Sequence, residues 1–223
     1  NTTGSENTAV GQGALDANTT GASNVALGRN ALGANTTANS NVALGEAALA
    51  VNTTGASNVA VGGNALVANT TAANNTAVGY NSLAANTTGT FNTAVGKGAG
   101  DAITTSSYNV AIGGNALGAC TTGDGRNVAV GQGSMVANTT GAYNVGIGEG
   151  ALAANTTANR NTSIGAAALA ANTTGANNVA LGAYALDASN ASSCTALGDS
   201  ALGANTTGAS NTAVGTESLA ANT

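Results

Sequence analysis

A five-residue motif, Asn-Thr/Val-Ala-aliphatic-Gly, returns thirteen times along this 223-residue chain, nearly always at a spacing of 17 residues. So short and strict a period is typical of a solenoid, in which each repeat forms one coil and is buried mainly against its neighbours. We number the positions of each coil as phases 1 to 17, starting at the first residue of the motif. The coils begin at Asn7, Asn24, Asn41, Asn58, Asn75, Asn92, Asn109, Asn127, Asn144, Asn161, Asn178, Cys194 and Asn211.

The pattern within one coil predicts strands and turns. Phases 2 to 4 alternate in character, which indicates a short strand. The glycine at phase 5 indicates a positive φ or a close approach of another backbone. Phases 8 to 11 predict a second short extended piece, and Asn-Thr-Thr at phases 12 to 14 predicts a turn whose asparagines form a hydrogen-bonded ladder. We therefore predict an all-β fold, a parallel β-solenoid (β-roll) of thirteen 17-residue coils in a single array over residues 1–223.

The same alternation yields a prediction about association between chains. We expect the aliphatic residue at phase 4, the leucine at phase 9 and the valine at phase 2 to line a narrow core. The small residue at phase 3 then points outward, which indicates close packing against another chain, with a trimer as the closed form. The alanines assigned to this chain-chain packing are Ala9, Ala26, Ala43, Ala60, Ala77, Ala94, Ala111, Ala129, Ala180, Ala196 and Ala213.

Composition excludes several classes of function. Charged residues are 6% of the chain and only four are basic, so nucleic-acid binding is not expected. No run of apolar residues is long enough to span a membrane. Histidine is absent and acidic residues never recur at one phase in successive coils, so we predict no catalytic, cofactor or metal site and no enzyme activity. Cys120 and Cys194 lie four coils apart, too far for a disulfide between them.

The motif also resembles known fibre repeats. Asn109 to Gly113 (Asn-Val-Ala-Ile-Gly) is similar to the head repeat of trimeric autotransporter adhesins, although the repeat of those heads is shorter. The longer unit from Asn75 to Gly89 looks like the repeats of phage tail fibres and bacterial surface fibres. The resemblance implies a parallel β-roll that trimerises and a location outside the cell, on its surface or on a virion. Because Asn1-Thr2-Thr3 and Asn222-Thr223 share one phase, we expect an excerpt of a longer array.

Two periodic features leave alternatives open. The Asn-Thr-Thr segments match the N-glycosylation acceptor sequence, against the alternative of a ladder chosen for hydrogen bonding. The threonine columns resemble those of ice-binding solenoids, although adjacent threonines of an extended segment face opposite ways. The candidate glycosylation residues are Asn18, Asn35, Asn52, Asn69, Asn86, Asn138, Asn155, Asn172 and Asn205.

Aromatic residues and irregular coils are the other candidates for contact with a ligand. Phe91 and Tyr108 occupy phase 17 of adjacent coils and are expected to stack. The irregular stretches at 97–108 and 119–126 are the strongest candidates for a local binding site, because irregularities in repeat proteins often lie on the binding face. We predict a structural, non-catalytic segment of an extracellular or virion fibre, whose partners are copies of itself in a lateral oligomer or filament. The alternative is a binding module, either an adhesin for surface glycans or an ice binder.

Overall fold

A computed structural model describes residues 2–222, and the chain divides into two compact units, residues 1–108 and 109–223. Asn1 and Thr223, on which the expectation of an excerpt partly depends, lie outside the described residues. Among residues 2–222 there is no helix, and every strand is three residues long. Each unit is a parallel β-solenoid, as the 17-residue period predicts, and has one strand per coil.

The first unit contains six strands that pair in sequence order and in register. Each strand occupies phases 2 to 4 and pairs in parallel with the next, so that alanine faces alanine, as in Ala26 opposite Ala43. The backbone ladder continues beyond the strand, because the N–H of Gly45 donates to the carbonyl of Leu27 at 2.8 Å. The strands are β1 (Thr8–Val10), β2 (Val25–Leu27), β3 (Val42–Leu44), β4 (Val59–Val61), β5 (Thr76–Val78) and β6 (Thr93–Val95).

The second unit contains seven strands with the same pairing. It includes an 18-residue coil from Asn109 and a 16-residue coil from Asn178, yet the register is kept across both, as in Val110 opposite Val128 and Val179 opposite Thr195. The extra and missing residues are therefore absorbed in turns. The strands are β7 (Val110–Ile112), β8 (Val128–Val130), β9 (Val145–Ile147), β10 (Thr162–Ile164), β11 (Val179–Leu181), β12 (Thr195–Leu197) and β13 (Thr212–Val214).

Phases 6 to 11 form consecutive turns and not the second extended piece that the sequence predicts. In the coil from Asn24, the N–H of Ala31 donates to Gly28, that of Gly33 to Asn30, and that of Asn35 to Leu32, at 3.1–3.3 Å. Asn30 and Leu32 have φ of 58° and 51°, and a positive φ at the third residue is what a type II turn requires. The prediction of an extended piece was wrong because the leucine adopts a left-handed conformation that its residue type rarely takes.

The glycine at phase 5 is confirmed as a special backbone position on both predicted grounds. Gly45 has a φ of 139°, and a Cβ placed on it would lie 2.6 Å from the carbonyl carbon of Gly62 in the next coil. No real Cβ sits so close to a backbone atom. The coils can therefore stack at about 4.8 Å only if phase 5 lacks a side chain.

The interior of a regular coil holds small and amide side chains around one leucine. Leu32, for example, is fully buried at phase 9, as predicted, together with Ala26 and Ala31 at phases 3 and 8. Two asparagines, Asn24 and Asn35 at phases 1 and 12, complete that interior and are also fully buried. The core of a regular coil thus includes two amide side chains, whose polar atoms must be satisfied within the solenoid.

The predicted direction of the strand side chains is wrong. Phase 3 faces the interior, whereas phases 2 and 4 face outward and are partly or largely exposed. Alanines that are at most 4% exposed within the single chain cannot contact another chain, so their assignment to chain-chain packing fails. Ala9, in the first coil, is exposed. The buried alanines are Ala26, Ala43, Ala60, Ala77, Ala94, Ala111, Ala129, Ala180, Ala196 and Ala213.

Candidate functional sites

Two asparagine ladders run through the interior and converge on one carbonyl in each coil. In the coil from Asn41, the Nδ2 groups of Asn41 and Asn52 both donate to the carbonyl of Gly55, each at 2.9 Å. Asn52 also donates to Oδ1 of Asn35 in the preceding coil at 3.2 Å, and Oδ1 of Asn41 accepts the backbone N–H of Asn58 at 2.9 Å. The ladders therefore close each coil and join it to its neighbours.

The hydrogen bonds of this arrangement are those expected of the ladder alternative for the Asn-Thr-Thr segments. A glycan would be attached to Nδ2 of the phase-12 asparagine, which in the folded chain donates to a buried carbonyl at 2.9–3.2 Å. All these side chains are at most 2% exposed, so the fold leaves no room for a glycan. The residues concerned are Asn18, Asn35, Asn52, Asn69, Asn86, Asn138, Asn155, Asn172 and Asn205.

Asparagine is replaced at phase 12 in three coils, and two of these replacements leave an acceptor of the preceding coil without a partner. Ile103 occupies phase 12 in the coil from Asn92, and Ser189 occupies it in the coil from Asn178. Within residues 2–222, the buried side-chain atoms that lack any hydrogen-bond partner are Oδ1 of Asn86 and of Asn172, each one coil before an interruption. The sequence shows both substitutions, but only the direction of the ladder reveals which neighbour loses its donor.

The cysteines are structural members of the same ladders. Cys120 replaces asparagine at phase 12 and Cys194 replaces it at phase 1. Both are buried, and they form no disulfide with each other, as their spacing predicts. Sγ of Cys194 donates to the carbonyl of Gly208 at 3.2 Å, the phase-15 carbonyl to which the asparagines of other coils donate.

The threonine columns divide into an internal and an external one. At phase 13 the hydroxyl of Thr53 donates to the carbonyl of Thr70 at 3.1 Å, and this bond recurs in most coils. Thr54 and Thr71 at phase 14 are exposed. Most coils therefore offer one outward threonine at phase 14, and ice binding stays an untested alternative.

An apolar strip lies on the outer face of the strands. It consists of the aliphatic residues at phases 2 and 4, and its most exposed members in the first unit are Val10, Leu27 and Val95. Side chains that the sequence assigned to the core thus lie on the surface, and Leu27 is 49% exposed. In the second unit the exposed members are Ile112, Ile147, Val179, Leu181, Leu197 and Val214.

The aromatic and basic residues at phase 17 make ring contacts in each unit. In the first unit Phe91 and Tyr108 stack with ring centroids 5.2 Å apart and planes 3° from parallel, which confirms the predicted pair. In the second unit the guanidinium carbon of Arg126 lies 5.4 Å from the ring centroid of Tyr143, and its Nη1 donates to the tyrosine hydroxyl at 3.2 Å. Phase 17 therefore carries aromatic and basic side chains in both units.

A groove lies beside Tyr143 on the second unit. Its volume is about 360 Å³, and it includes Gly123 and Asp124 from the inserted stretch of the coil from Asn109. The irregular stretch 119–126 that the sequence singles out therefore contributes to a groove. Its lining residues are Gly123, Asp124, Thr140, Ala142, Tyr143, Asn159 and Arg160.

Other chemistry is sparse over the part of the chain that the structure describes. Within residues 2–222 no cluster of histidine, cysteine, aspartate or glutamate is suited to hold a metal ion, and no helix could cross a membrane. Burial raises the pKa of Asp101 above its ordinary value of 3.8, against the opposing effect of backbone hydrogen bonds from Asp101 and Ala102. Arg29 and Glu46 form an exposed ion pair, a type that contributes little to stability.

Comparison with known proteins adds no family assignment. No protein-family profile, curated protein or solved structure matches this chain significantly. The assignment that stands is architectural: a parallel β-solenoid built from 17-residue coils.

Proposed function

We propose that this chain is a structural, non-catalytic segment of a fibre exposed on a cell surface, on a virion or elsewhere outside the cell. In this proposal copies of the chain pack laterally through the apolar strip, three together as in the adhesin heads that the repeat resembles. The observation that carries the proposal is the contrast between a closed, hydrogen-bonded interior and an aliphatic outer strip with the same period as the coils.

The interior supports a mechanical role. Each coil bonds to its neighbours through backbone ladders and through amide side chains, as in Asn75, which accepts from the N–H of Asn92 and donates to the carbonyl of Gly89, each at 2.9 Å. Such a lattice has its polar groups satisfied internally and resists local opening. A stiff rod that projects or links other parts requires that property and no reactive group.

The strip supports a copy of the same chain as its partner. Its aliphatic side chains recur once per coil, about 4.8 Å apart along each unit, and only a partner with that period can match them over many coils. The strand positions that form the strip carry no charged residue in any coil. Exposed apolar surface of this extent marks an interaction surface, and a homo-oligomer is the commonest way to cover it.

The test is the mass of the full chain in solution, measured by light scattering and by sedimentation velocity. A trimer would have about three times the chain mass of 20.7 kDa. A variant with Leu27→Thr, Val95→Thr, Leu181→Thr and Leu197→Thr keeps residues that favour strands but makes the strip polar, and we expect it to be monomeric.

The matched control replaces exposed valines that lie outside the strip. Val51 and Val136 occupy phases 11 and 10 and are 44% and 38% exposed. Val51→Thr and Val136→Thr together should leave the oligomer unchanged. A wild-type chain that is monomeric at high protein concentration would contradict lateral association, and an oligomer that survives the strip variant would place the interface elsewhere.

A further inference from the structure

We propose that the groove beside Tyr143 is a binding site for a saccharide that carries a carboxylate. This site is independent of the lateral association proposed above, because the groove is lined by turn residues at phases 14 to 17 and its inserted segment, whereas the strip lies at phases 2 and 4. The inference depends on two departures from the repeat that meet at one place in the second unit.

The first departure is a change of residue type at phase 17. In many coils this position is serine, as at Ser193 and Ser210, but three successive coils of the second unit carry Arg126, Tyr143 and Arg160. The second departure is the extra residue in the coil from Asn109, where Gly123 has a φ of 104°. The insertion places a glycine and an aspartate against the altered column and forms one wall of the groove.

The ring of Tyr143 is held in place by the neighbouring coil. Arg126 covers the ring at 5.4 Å from its centroid and donates from Nη1 to both the tyrosine hydroxyl and the carbonyl of Asp124, each at 3.2 Å. Tyr143 nevertheless stays 46% exposed. An exposed aromatic side chain fixed by its neighbours offers the apolar surface that a sugar ring contacts, with little loss of conformational entropy on binding.

The polar groups of the groove suit a sugar with one negative charge. Oδ1 of Asn159 accepts the backbone N–H of Ala142 at 2.7 Å, so its Nδ2 is oriented as the donor available to a ligand. Across residues 2–222, the side chains of Arg160 and Asp124 have no hydrogen bond or ion pair among the contacts that the structure describes. A guanidinium favours a carboxylate through paired, charge-assisted hydrogen bonds, while Asp124 can accept bonds from sugar hydroxyls.

The size and charge of the groove disfavour other ligands. About 360 Å³ is near the lower end of the range for small-molecule sites, which suits one or two sugar rings and not a folded partner. The carboxylate of Asp124 would repel a dianionic phosphate more strongly than a sugar with a single carboxylate and many neutral hydroxyls. An acidic saccharide uses all four kinds of group present: ring, guanidinium, amide and carboxylate.

The test is a titration of the full chain, followed by isothermal calorimetry and by NMR, with three probes. Trigalacturonate carries one carboxylate on each ring, and one or two of its rings can occupy the groove. Its fully methyl-esterified form is the same saccharide without charge, and inorganic phosphate tests for simple anion binding. We expect trigalacturonate to bind with shifts confined to the groove, and its ester to bind at least about tenfold more weakly. Arg160→Gln should weaken trigalacturonate binding by a similar factor, and Tyr143→Ser, which restores the common residue of phase 17, should abolish it.

Matched controls are available outside the groove. Arg29→Gln removes another exposed arginine, and Tyr184→Ser removes a tyrosine that is 52% exposed at phase 7, where Ser200 stands in the next coil. Both controls should bind trigalacturonate as the wild type does, and melting curves should show all four variants folded. Absence of trigalacturonate binding, equal binding of the ester, or equally tight binding of phosphate would each overturn the proposal.

Discussion

The coils that begin at Asn75 and at Asn92 fill the same interior with different residues. The regular coil places Leu83 at phase 9 and Asn86 at phase 12, whereas the irregular coil has Gly100 and Ile103 there. The backbone conformation is nevertheless similar, with φ of 49° at Leu83 and 59° at Gly100. In both coils the N–H of phase 12 donates to the carbonyl of phase 9, at 3.1 and 3.0 Å. The apolar side chain has moved three positions along the chain without changing the fold.

The exchange has one cost that the regular coil avoids. A Cβ on Gly100 would lie 3.0 Å from Cδ1 of Ile103, so the isoleucine fills the space that a leucine takes elsewhere. Isoleucine has no donor for the amide of the preceding coil, and Oδ1 of Asn86 is left without a partner. The comparison indicates that the backbone and total volume of the coil are strictly constrained, while the position of the apolar group is adjustable.

The largest expected effect comes from adding one methyl group at phase 5, the position where every coil has a glycine. Gly79 has a φ of 136°, and its Cβ would lie 2.6 Å from the carbonyl carbon of Gly96. Gly79→Ala should therefore lower the free energy of unfolding by about 2–6 kcal/mol, from backbone strain and overpacking together. Gly100→Ala meets only the ends of flexible side chains, Cδ1 of Ile103 at 3.0 Å and Cδ2 of Leu83 at 3.1 Å, and should be much milder.

Urea denaturation of the two variants, monitored by circular dichroism, measures this difference. Gly79 has a φ of 136°, which residues other than glycine rarely adopt, whereas Gly100 has a φ of 59°, close to the 49° of Leu83. The comparison therefore measures together the backbone strain and the close approach of the neighbouring backbone at phase 5. If Gly100→Ala proved as damaging as Gly79→Ala, the stacking distance at phase 5 would not be what constrains the coil.

A second prediction tests whether phases 9 and 12 are one packing unit. Gly100→Leu alone should collide with Ile103, and Ile103→Asn alone should leave a void and cost about 2–4 kcal/mol. Together they recreate the regular coil and give Oδ1 of Asn86 its donor. We expect the double variant to be at least as stable as the wild type, with a coupling energy of about 2 kcal/mol or more in a double-mutant cycle. Strictly additive effects would show that the exchange is not compensatory.

A third prediction compares two rungs of the phase-12 ladder. Nδ2 of Asn69 donates to Asn52 at 2.8 Å and to the carbonyl of Ala72 at 3.0 Å, and its Oδ1 accepts from Asn86 at 2.9 Å. Asn86 makes the same kind of donations, but its Oδ1 has no partner. Asn69→Ala should therefore destabilise more than Asn86→Ala by about 1 kcal/mol, the contribution of one hydrogen bond.

Thermal melting of both variants, with the wild type in parallel, measures this difference. The two positions are equally buried and share a phase, so loss of packing is matched between them. Equal melting temperatures would contradict the view that the amide ladder adds stability bond by bond.

The period predicts the strand, the phase-5 glycine and the buried leucine, because each follows from local residue type. The direction of a three-residue strand does not follow, because one alternation allows either face to be buried. Hydrophobicity alone favours Val25 and Leu27 inside, but Leu32 and two asparagines already fill the coil and leave room only for Ala26. The preference for burying larger apolar groups thus yields to the volume available.

The site by Tyr143 shows the same limit. The sequence marks the inserted stretch 119–126 and the aromatic column separately, and their meeting in one groove depends on how the insertion folds. The positive φ of Leu32 likewise could not be predicted from its residue type, because turns of that kind normally have glycine or asparagine at the third position.

The smallest expected effect concerns the charge that the irregular coil carries at phase 10. Asp101 stands where the regular coil has Ala84, and burial raises the pKa of this carboxyl above its ordinary value of 3.8. The folded chain therefore holds this proton to a higher pH than the unfolded chain does. Its contribution to stability is fully present below pH 3.8 and is lost as the pH rises through the folded-state pKa. Melting temperatures of the wild type should show this small decline, and Asp101→Ala should remove it. A decline that persists in Asp101→Ala would have to come from another acidic group, and the irregular coil would then resemble the regular one in its response to pH.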